Sequence, residues 1–312
     1  MSPSRGAGRD THEALVELDG HRLRLRNLDK VLYPEEGTTK AQVLDYYARV
    51  APVILPHLAD RPVSRFRWPD GVAAQSFVEK EVPRGTPDWV SRVTVDSPGS
   101  TRGHERVTYP LLDSLASLTW VVNLAALELH VPQWQVGPRG GLHCPNRLVV
   151  DLDPGPPAAL PECAEVALLV RERLADDGLV PLPVTSGSKG MQLYAAVSGR
   201  QDSDTLREYA RRLAESLSRE RPDLVVSNMS KALRPGKVLL DWSQNHGKKT
   251  TISPYSLRGR PRAQVAAPRS WAEVEDAGSL AQLHFSEVLR RVEEQGDLAA
   301  ELLEPGPKVP TR

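Results

Sequence analysis

The chain has 312 residues, of which 40% are hydrophobic and 26% charged. No apolar run is long enough to span a bilayer, so composition excludes a disordered or membrane-embedded polypeptide, and one large domain or two interlocked lobes fit the length. Forty basic residues balance forty acidic ones, which argues against a protein that simply coats nucleic acid.

The N-terminal "MSPSRGAGRDTHE" has no apolar stretch to act as a secretion signal; residues 1–14 read as a disordered tail and the protein as cytoplasmic. "ALVELDGHRLRLRN" alternates about Asp19-Gly20, which predicts a hairpin, and a helix over 40–57 follows, capped by Thr38 or Thr39. After "RPVSRFRWPDG" and the Pro/Gly-rich "VPRGTPDWV", the apolar stretch from Leu111 to Leu129 predicts one buried helix ending near "HVPQW". Cys144 and Cys163, the only cysteines, belong to no metal-ligand array, which argues against a disulfide framework or zinc knuckle. The second half alternates more clearly: strand 147–152, helix 161–177, strand 180–185, strand 191–197, helix 203–220 and strand 237–242, an α/β catalytic half. From about Pro268 the chain turns helical and polar, and "EPGPKVPTR" closes it as a flexible tail over 301–312. Between Lys231 and Arg262 lie Lys231, Arg234, Lys237, Lys248, Lys249, Arg258, Arg260 and Arg262 against one acid, Asp241. That run is either a solvated face or a basic surface around a single carboxylate.

The strand "RLVVDLDPGPP" ends in two carboxylates. Side chains alternate along a strand, so Asp151 and Asp153 share one face while Leu152 enters the core. Like charges this close need a shared proton or a cation, and the strand end at Pro154-Gly155 leaves the pair open, which favours a divalent metal. "GKVLLDWSQN" presents Asp241 at the end of another apolar strand. Alone it reads as a turn residue; with the pair it completes a site for two divalent ions, suited to in-line displacement at phosphorus. Between these strands "VTSGSKGMQLY" offers Gly187 and Gly190 for a tight turn whose backbone N–H groups can face an anion, with Ser186, Ser188 and Lys189 beside it. It is not a P-loop, and such a turn alone is more often a solvated loop.

"DLDPG", "TSGSKG", "DWSQN" and "PYSLRGR", in this order and spacing, resemble the polymerase domain of bacterial DNA ligase D, in the archaeo-eukaryotic primase superfamily. "NLDKVLYP", "RWPDG", "SFVEK", "RGTPDWV" and "AALELHVPQW" extend the resemblance over roughly residues 20 to 300. It implies an α/β (α+β) primase-polymerase fold, a mixed sheet flanked by helices with an N-terminal hairpin-plus-helix lobe. Residues 15–300 would form a single catalytic domain of two interlocked lobes; the family's ligase and nuclease modules have no room here. Asp151, Asp153 and Asp241 resemble the family's metal-binding acids, for two ions, manganese or magnesium, with manganese typically favoured. His130, Ser186, Lys189 and Arg258 match positions that hold the incoming triphosphate, with Arg234 and Gln244 in the same centre. Asn27, Lys30 and Lys40 match the pocket for a downstream 5′-phosphate, and Phe77 an aromatic that positions the template base.

Two departures stand out. Gln192 occupies a position that is usually His, so triphosphate affinity or metal preference is expected to differ. Val78 follows Phe77 where a second Phe is common, which removes a stacking surface. The reading is a template-directed nucleotidyltransferase preferring ribonucleotides, acting near the nucleoid on gapped or overhanging DNA with a 5′-phosphate, with NTPs or dNTPs as substrates and Ku and a DNA ligase as candidate partners. A metal-dependent phosphohydrolase and a non-catalytic DNA-end adaptor are the competing readings.

Overall fold

A computed structural model of the chain describes residues 12–96 and 106–311. Residues 1–11 of the expected N-terminal tail lie outside the described residues. Ala14–Leu18 (β1) and His21–Leu25 (β2) form the expected hairpin, turned by Asp19 and Gly20 at φ 49° and 76°. Val31–Tyr33 (β3) pairs with Thr38–Thr39 (β4), and Thr39, through a capping box with Gln42, starts Lys40–Leu58 (α1).

Ser64–Arg67 (β5), Phe77–Glu79 (β6), Arg92–Asp96 (β7) and Arg106–Pro110 (β8) come next. The single helix expected over 111–129 is corrected here. The helix is only Leu115–Asn123 (α2); Ala125 turns the chain at φ 61°, and Ala126–Val131 (β9) is a strand. The reason is burial on both faces. β9 is hydrogen-bonded between β5 and Thr251–Ile252, and Ala126, Leu127, Glu128 and Leu129 are all buried. The two-residue period that marks a half-exposed strand is therefore erased.

The second half follows the expected order: Arg147–Pro154 (β10), Leu160–Asp176 (α3), Pro181–Thr185 (β11), Met191–Ala196 (β12), Ser203–Glu220 (α4), Val225–Val226 (β13) and Val238–Asp241 (β14). Thr251–Ile252 (β15), Ala267–Pro268 (β16), Trp271–Glu275 (α5) and Phe285–Gln295 (α6) complete the elements. The main sheet is mixed, in the order β13-β14-β10-β12-β11-β16, with β13–β14 its parallel pair; β15-β9-β5-β6 form a second sheet. Leu148, Val150 and Leu152 of β10 pack with Met191, Leu193 and Ala195 of β12 against α3 and α4. Val149 and Tyr194, on the opposite face, belong to the core shared with α1, α2 and β9. Alternation thus sends Asp151 and Asp153 to the side of the second sheet.

A buried polar chain ties β10 to α1 and to the segment after α6. Arg147 Nη2 lies 3.0 Å from His57 Nδ1, His57 Nε2 is 2.9 Å from Asp297 Oδ2, and the Tyr255 hydroxyl donates to Asp297 Oδ1 at 2.7 Å. The C-terminal segment expected as a flexible tail is held in place. Leu302 and Val309 are buried, Ser198 N–H donates to the Pro307 carbonyl (2.9 Å), and Gln201 bonds both backbone groups of Val309 (2.8 and 2.9 Å). Its Pro-rich composition reads as loose because its partners, around α4, are distant in sequence. Among the described residues, no helix is long and apolar enough to cross a membrane.

Candidate active site

The pairing register sets three side chains in one row across the sheet: Gln192 on β12 opposite Asp151 on β10, and Asp151 opposite Asp241 on β14. Asp153 stands two residues further along the same face of β10. Ligand oxygens of Asp151, Asp153 and Asp241 all lie within 4.8 Å of one another. Burial, then the charges of Asp153 and Asp241, push the Asp151 carboxyl up to about 8, and burial and Asp241 also raise Asp153. Three hard oxygen donors that converge this closely, two of them on carboxyls raised by burial and by their neighbours' charge, are the donor set a divalent cation fits.

Asp241 is oriented by the turn that follows β14. Its Oδ1 accepts from Ser243 N–H (3.0 Å) and from the Ser243 hydroxyl, and its Oδ2 accepts from Gln244 Nε2 at 2.9 Å. Lys249, expected only as part of the basic run, donates to Ser243 Oγ and lies 4.0 Å from Asp241 Oδ2. Asn245 bonds both backbone groups of Val149 (3.0 and 2.7 Å), locking this turn to β10.

The Ser-Gly turn after β11 is corrected in one respect. Its backbone N–H groups are largely spent on the turn and its neighbour: Ser186 N–H donates to the Gly190 carbonyl (3.0 Å), Ser188 N–H to Ser186 Oγ (3.2 Å) and Gly187 N–H to Gln282 Oε1 (2.6 Å). A tight turn closes on itself before it can cradle an anion, so side chains remain for that task, the exposed Lys189 foremost. Gly190 is required by close approach: a Cβ there would stand 2.0 Å from the carbonyl oxygen of Leu152, between the two aspartates. Gly190→Ala should therefore displace β10 at the acid pair. We expect nucleotide addition to fall at least about tenfold, as for a misplacement of about 1 Å, with the circular dichroism spectrum unchanged. Unaltered turnover would show that the turn does not register the acids.

Arg258 reaches in from the loop after β15, and its charge acts on both Asp151 and Asp153; Arg234 acts on Asp153. His130 projects from β9 with its ring 4.3 Å from that of Phe66 and its Nε2 2.8 Å from Glu128 Oε2. Glu128 was missed in the sequence, although its spacing to His130 puts both on one strand face. Gln192 is buried, accepts from the Tyr194 hydroxyl at 2.8 Å and hydrogen-bonds Asp151. Its departure from His therefore falls beside a candidate metal ligand, which favours an effect on the metal over one on the triphosphate.

Asn27, Lys30 and Lys40 come together as expected, lining a cavity of about 530 Å³ that also receives Arg24, Arg26, Arg67 and Trp120. Lys30 Nζ is 2.7 Å from Asp70 Oδ1. Lys40 is buried and, among the described residues, donates only to neutral groups, the Arg26 carbonyl (2.7 Å) and Asn123 Oδ1 (2.8 Å). Burial, then Lys30 and Arg67, lower its pKa to about 8. A buried cation without a carboxylate marks a place for an anion. Phe77, 47% exposed, sits on the outer strand of the second sheet directly opposite Arg67 of that cavity.

Residues 39–299 match the family model for the LigD primase-polymerase domain. The chain is 50% identical over 286 residues to the multifunctional non-homologous end joining DNA repair protein LigD of Mycobacterium tuberculosis, covering 90% of this chain and 37% of that protein. It is 30% identical over 276 residues to the bifunctional non-homologous end joining protein LigD of Bacillus subtilis, covering 88% of this chain and 43% of that one. It thus spans well under half of these relatives. Among solved structures, the polymerase domain from Mycobacterium tuberculosis ligase D in complex with DNA superposes with a TM-score of 0.86 at 49% identity, over 92% of this chain and 99% of that one.

Proposed function

The chain belongs to the LigD primase-polymerase domain family, a family of nucleotidyltransferases, and from that premise we propose that it extends a DNA 3′-hydroxyl in a template-directed reaction at short gaps or broken ends. Residues 15–300 act as one catalytic unit, ribonucleotides are the preferred substrates, and double-strand break end joining in the cytoplasm is the setting, with Ku and a DNA ligase as partners. The observation that carries this reading is the acid cluster: three carboxylates from adjacent strands within 4.8 Å, with Arg258 and Arg234 acting on them. Two divalent ions, manganese before magnesium, would supply Lewis-acid charge for the attacking oxygen and the leaving pyrophosphate. Asp151, Asp153 and Asp241 would hold them. Arg258, Lys189, Ser186 and His130 hold the triphosphate, and Gln244 keeps Asp241 oriented.

The cationic cavity supports gap recognition. Its wall includes Ala125 and Arg67, and Arg67 pairs with Ala126 at the start of β9, four residues before His130. At about 3.3 Å per residue this is roughly 13 Å, the reach of a few nucleotides. Primer extension on a gapped duplex, with and without a downstream 5′-phosphate and with ribo- or deoxyribonucleotides in manganese or magnesium, tests the reading. Extension stimulated by the 5′-phosphate is expected; phosphatase activity without extension would overturn it.

Phe77 supplies a further prediction. Being exposed, it contributes little to the core, so Phe77→Ala should leave the melting temperature unchanged. Binding to gapped DNA should weaken by about 1–3 kcal/mol, the value of one base–aromatic stack, with blunt duplex unaffected. Equal losses on both DNAs in an anisotropy titration would deny it a template role.

A further inference from the structure

We propose that Glu128 is a positioning residue for the incoming nucleotide: its buried carboxylate holds Arg258 and His130 side by side and fixes the imidazole with Nδ1 turned to the triphosphate. The inference rests on the polymerase reading above.

Glu128 is 5% exposed, and a carboxylate so buried is costly unless every oxygen is satisfied. Its Oε1 accepts from the Gly259 N–H at 3.0 Å and lies 3.4 Å from Arg258 Nε, while Oε2 lies 2.8 Å from His130 Nε2. Burial alone would raise this carboxyl, but His130, Arg258 and the Gly259 N–H outweigh it and hold it below the usual range. An ionised carboxylate only accepts, so the ring proton of neutral His130 resides on Nε2. Nδ1 makes no hydrogen bond among the described residues.

The charged and titratable groups facing this pair are few. Arg258 comes from the loop after β15, and Tyr33 and Tyr47, on β3 and α1, face Glu128, both kept neutral by burial. Phe66 covers the imidazole from β5. Burial lowers the His130 pKa and Glu128 opposes that effect. Neutral His130 therefore offers a phosphate only a lone pair; it becomes a donor by taking a proton on Nδ1, and the adjacent carboxylate stabilises the imidazolium. Negative charge beside a triphosphate site weakens affinity by itself. What Glu128 adds is orientation: it holds Arg258 as an ion pair, 3.4 Å from Nε and without a hydrogen bond, and the guanidinium charge acts on Asp151 and Asp153.

Glu128→Gln should raise the nucleotide KM about ten- to a hundredfold, the worth of a charged hydrogen bond, with kcat at saturating nucleotide nearly unchanged. The rise of KM with pH should begin at lower pH than in the parent protein. In a double-mutant cycle, His130→Asn should add little to Glu128→Gln. A merely structural Glu128 would lower the melting temperature, reduce kcat and DNA binding together, and give additive effects; that result overturns the proposal. Nitrogen-15 NMR of the parent protein removes dependence on a variant that folds: the Nε2–H tautomer at neutral pH is required, and the Nδ1–H tautomer refutes the assignment. Parent enzyme that extends primers while these tests fail would discard Glu128 alone; parent enzyme that does not extend would discard the polymerase reading.

Discussion

Asp151→Ala and Asp153→Ala should each abolish nucleotide addition, by at least about a hundred- to a thousandfold, the loss typical when a charge-stabilising group leaves a reaction centre, while gapped-DNA binding persists. The acids sit at the end of β10, whereas the cationic cavity is walled by α1, α2 and Arg67 of β5, with Phe77 opposite Arg67 on β6, so chemistry and DNA grip are separable. A second readout needs no substrate. The folded-state pKa of Asp151 is raised to about 8, against about 3.9 for an unfolded chain. Between these values the folded state binds the extra proton, so metal-free stability should fall as pH rises from about 4 to 8. Manganese should restore it by mass action. Asp151→Asn is neutral without taking up a proton; in chelator it should melt higher than the parent at neutral pH and gain less from manganese. A variant that keeps near-parental extension, or a metal-free melting temperature that climbs over that pH range, would remove Asp151 from the centre.

Neutralising Lys30 and Lys40 together, as Lys30→Gln with Lys40→Gln, should erase the preference for a phosphorylated gap. It should also flatten the salt dependence of binding by about 0.9 for each phosphate that the protein no longer neutralises. Glutamine at 40 can still donate to the Arg26 carbonyl and Asn123, the two bonds Lys40 makes, so the fold is spared. The buried environment adds a pH signature. Lys40, lowered to about 8, carries its charge below that pH and loses it above, where an ordinary lysine stays charged to about 10.4. The advantage of a 5′-phosphate should therefore be full near neutrality and decline above about pH 8, by at most about tenfold per unit. Unphosphorylated gaps should show no such decline. Preference surviving in the double variant would place the 5′-phosphate site elsewhere.

Local pattern was legible wherever one face of an element is exposed or a turn has obligatory chemistry. The Asp19-Gly20 hairpin, the cap at Thr39 and the strands and helices from 147 to 241 were all readable in this way. β9 was not, because two neighbouring strands and buried side chains on both faces remove the period that distinguishes strand from helix. Nor was the docking of the last residues, whose partners Ser198, Gln201 and Arg212 lie about a hundred positions away.

The same division governs the site. The order of acids, Ser-Gly turn and basic stretch, with the alternation that puts Asp151 and Asp153 on one face, is set by neighbouring residues, and the sequence alone determined it. Only the tertiary structure decided that Asp241 stands opposite Asp151 and that Gln192 flanks it. The same holds for Glu128 binding Arg258 across 130 positions and for Lys40 being a cation without a carboxylate. Register, burial and the pKa values that follow depend on which distant strands pair and how much water they exclude, and no local spacing in the chain encodes either.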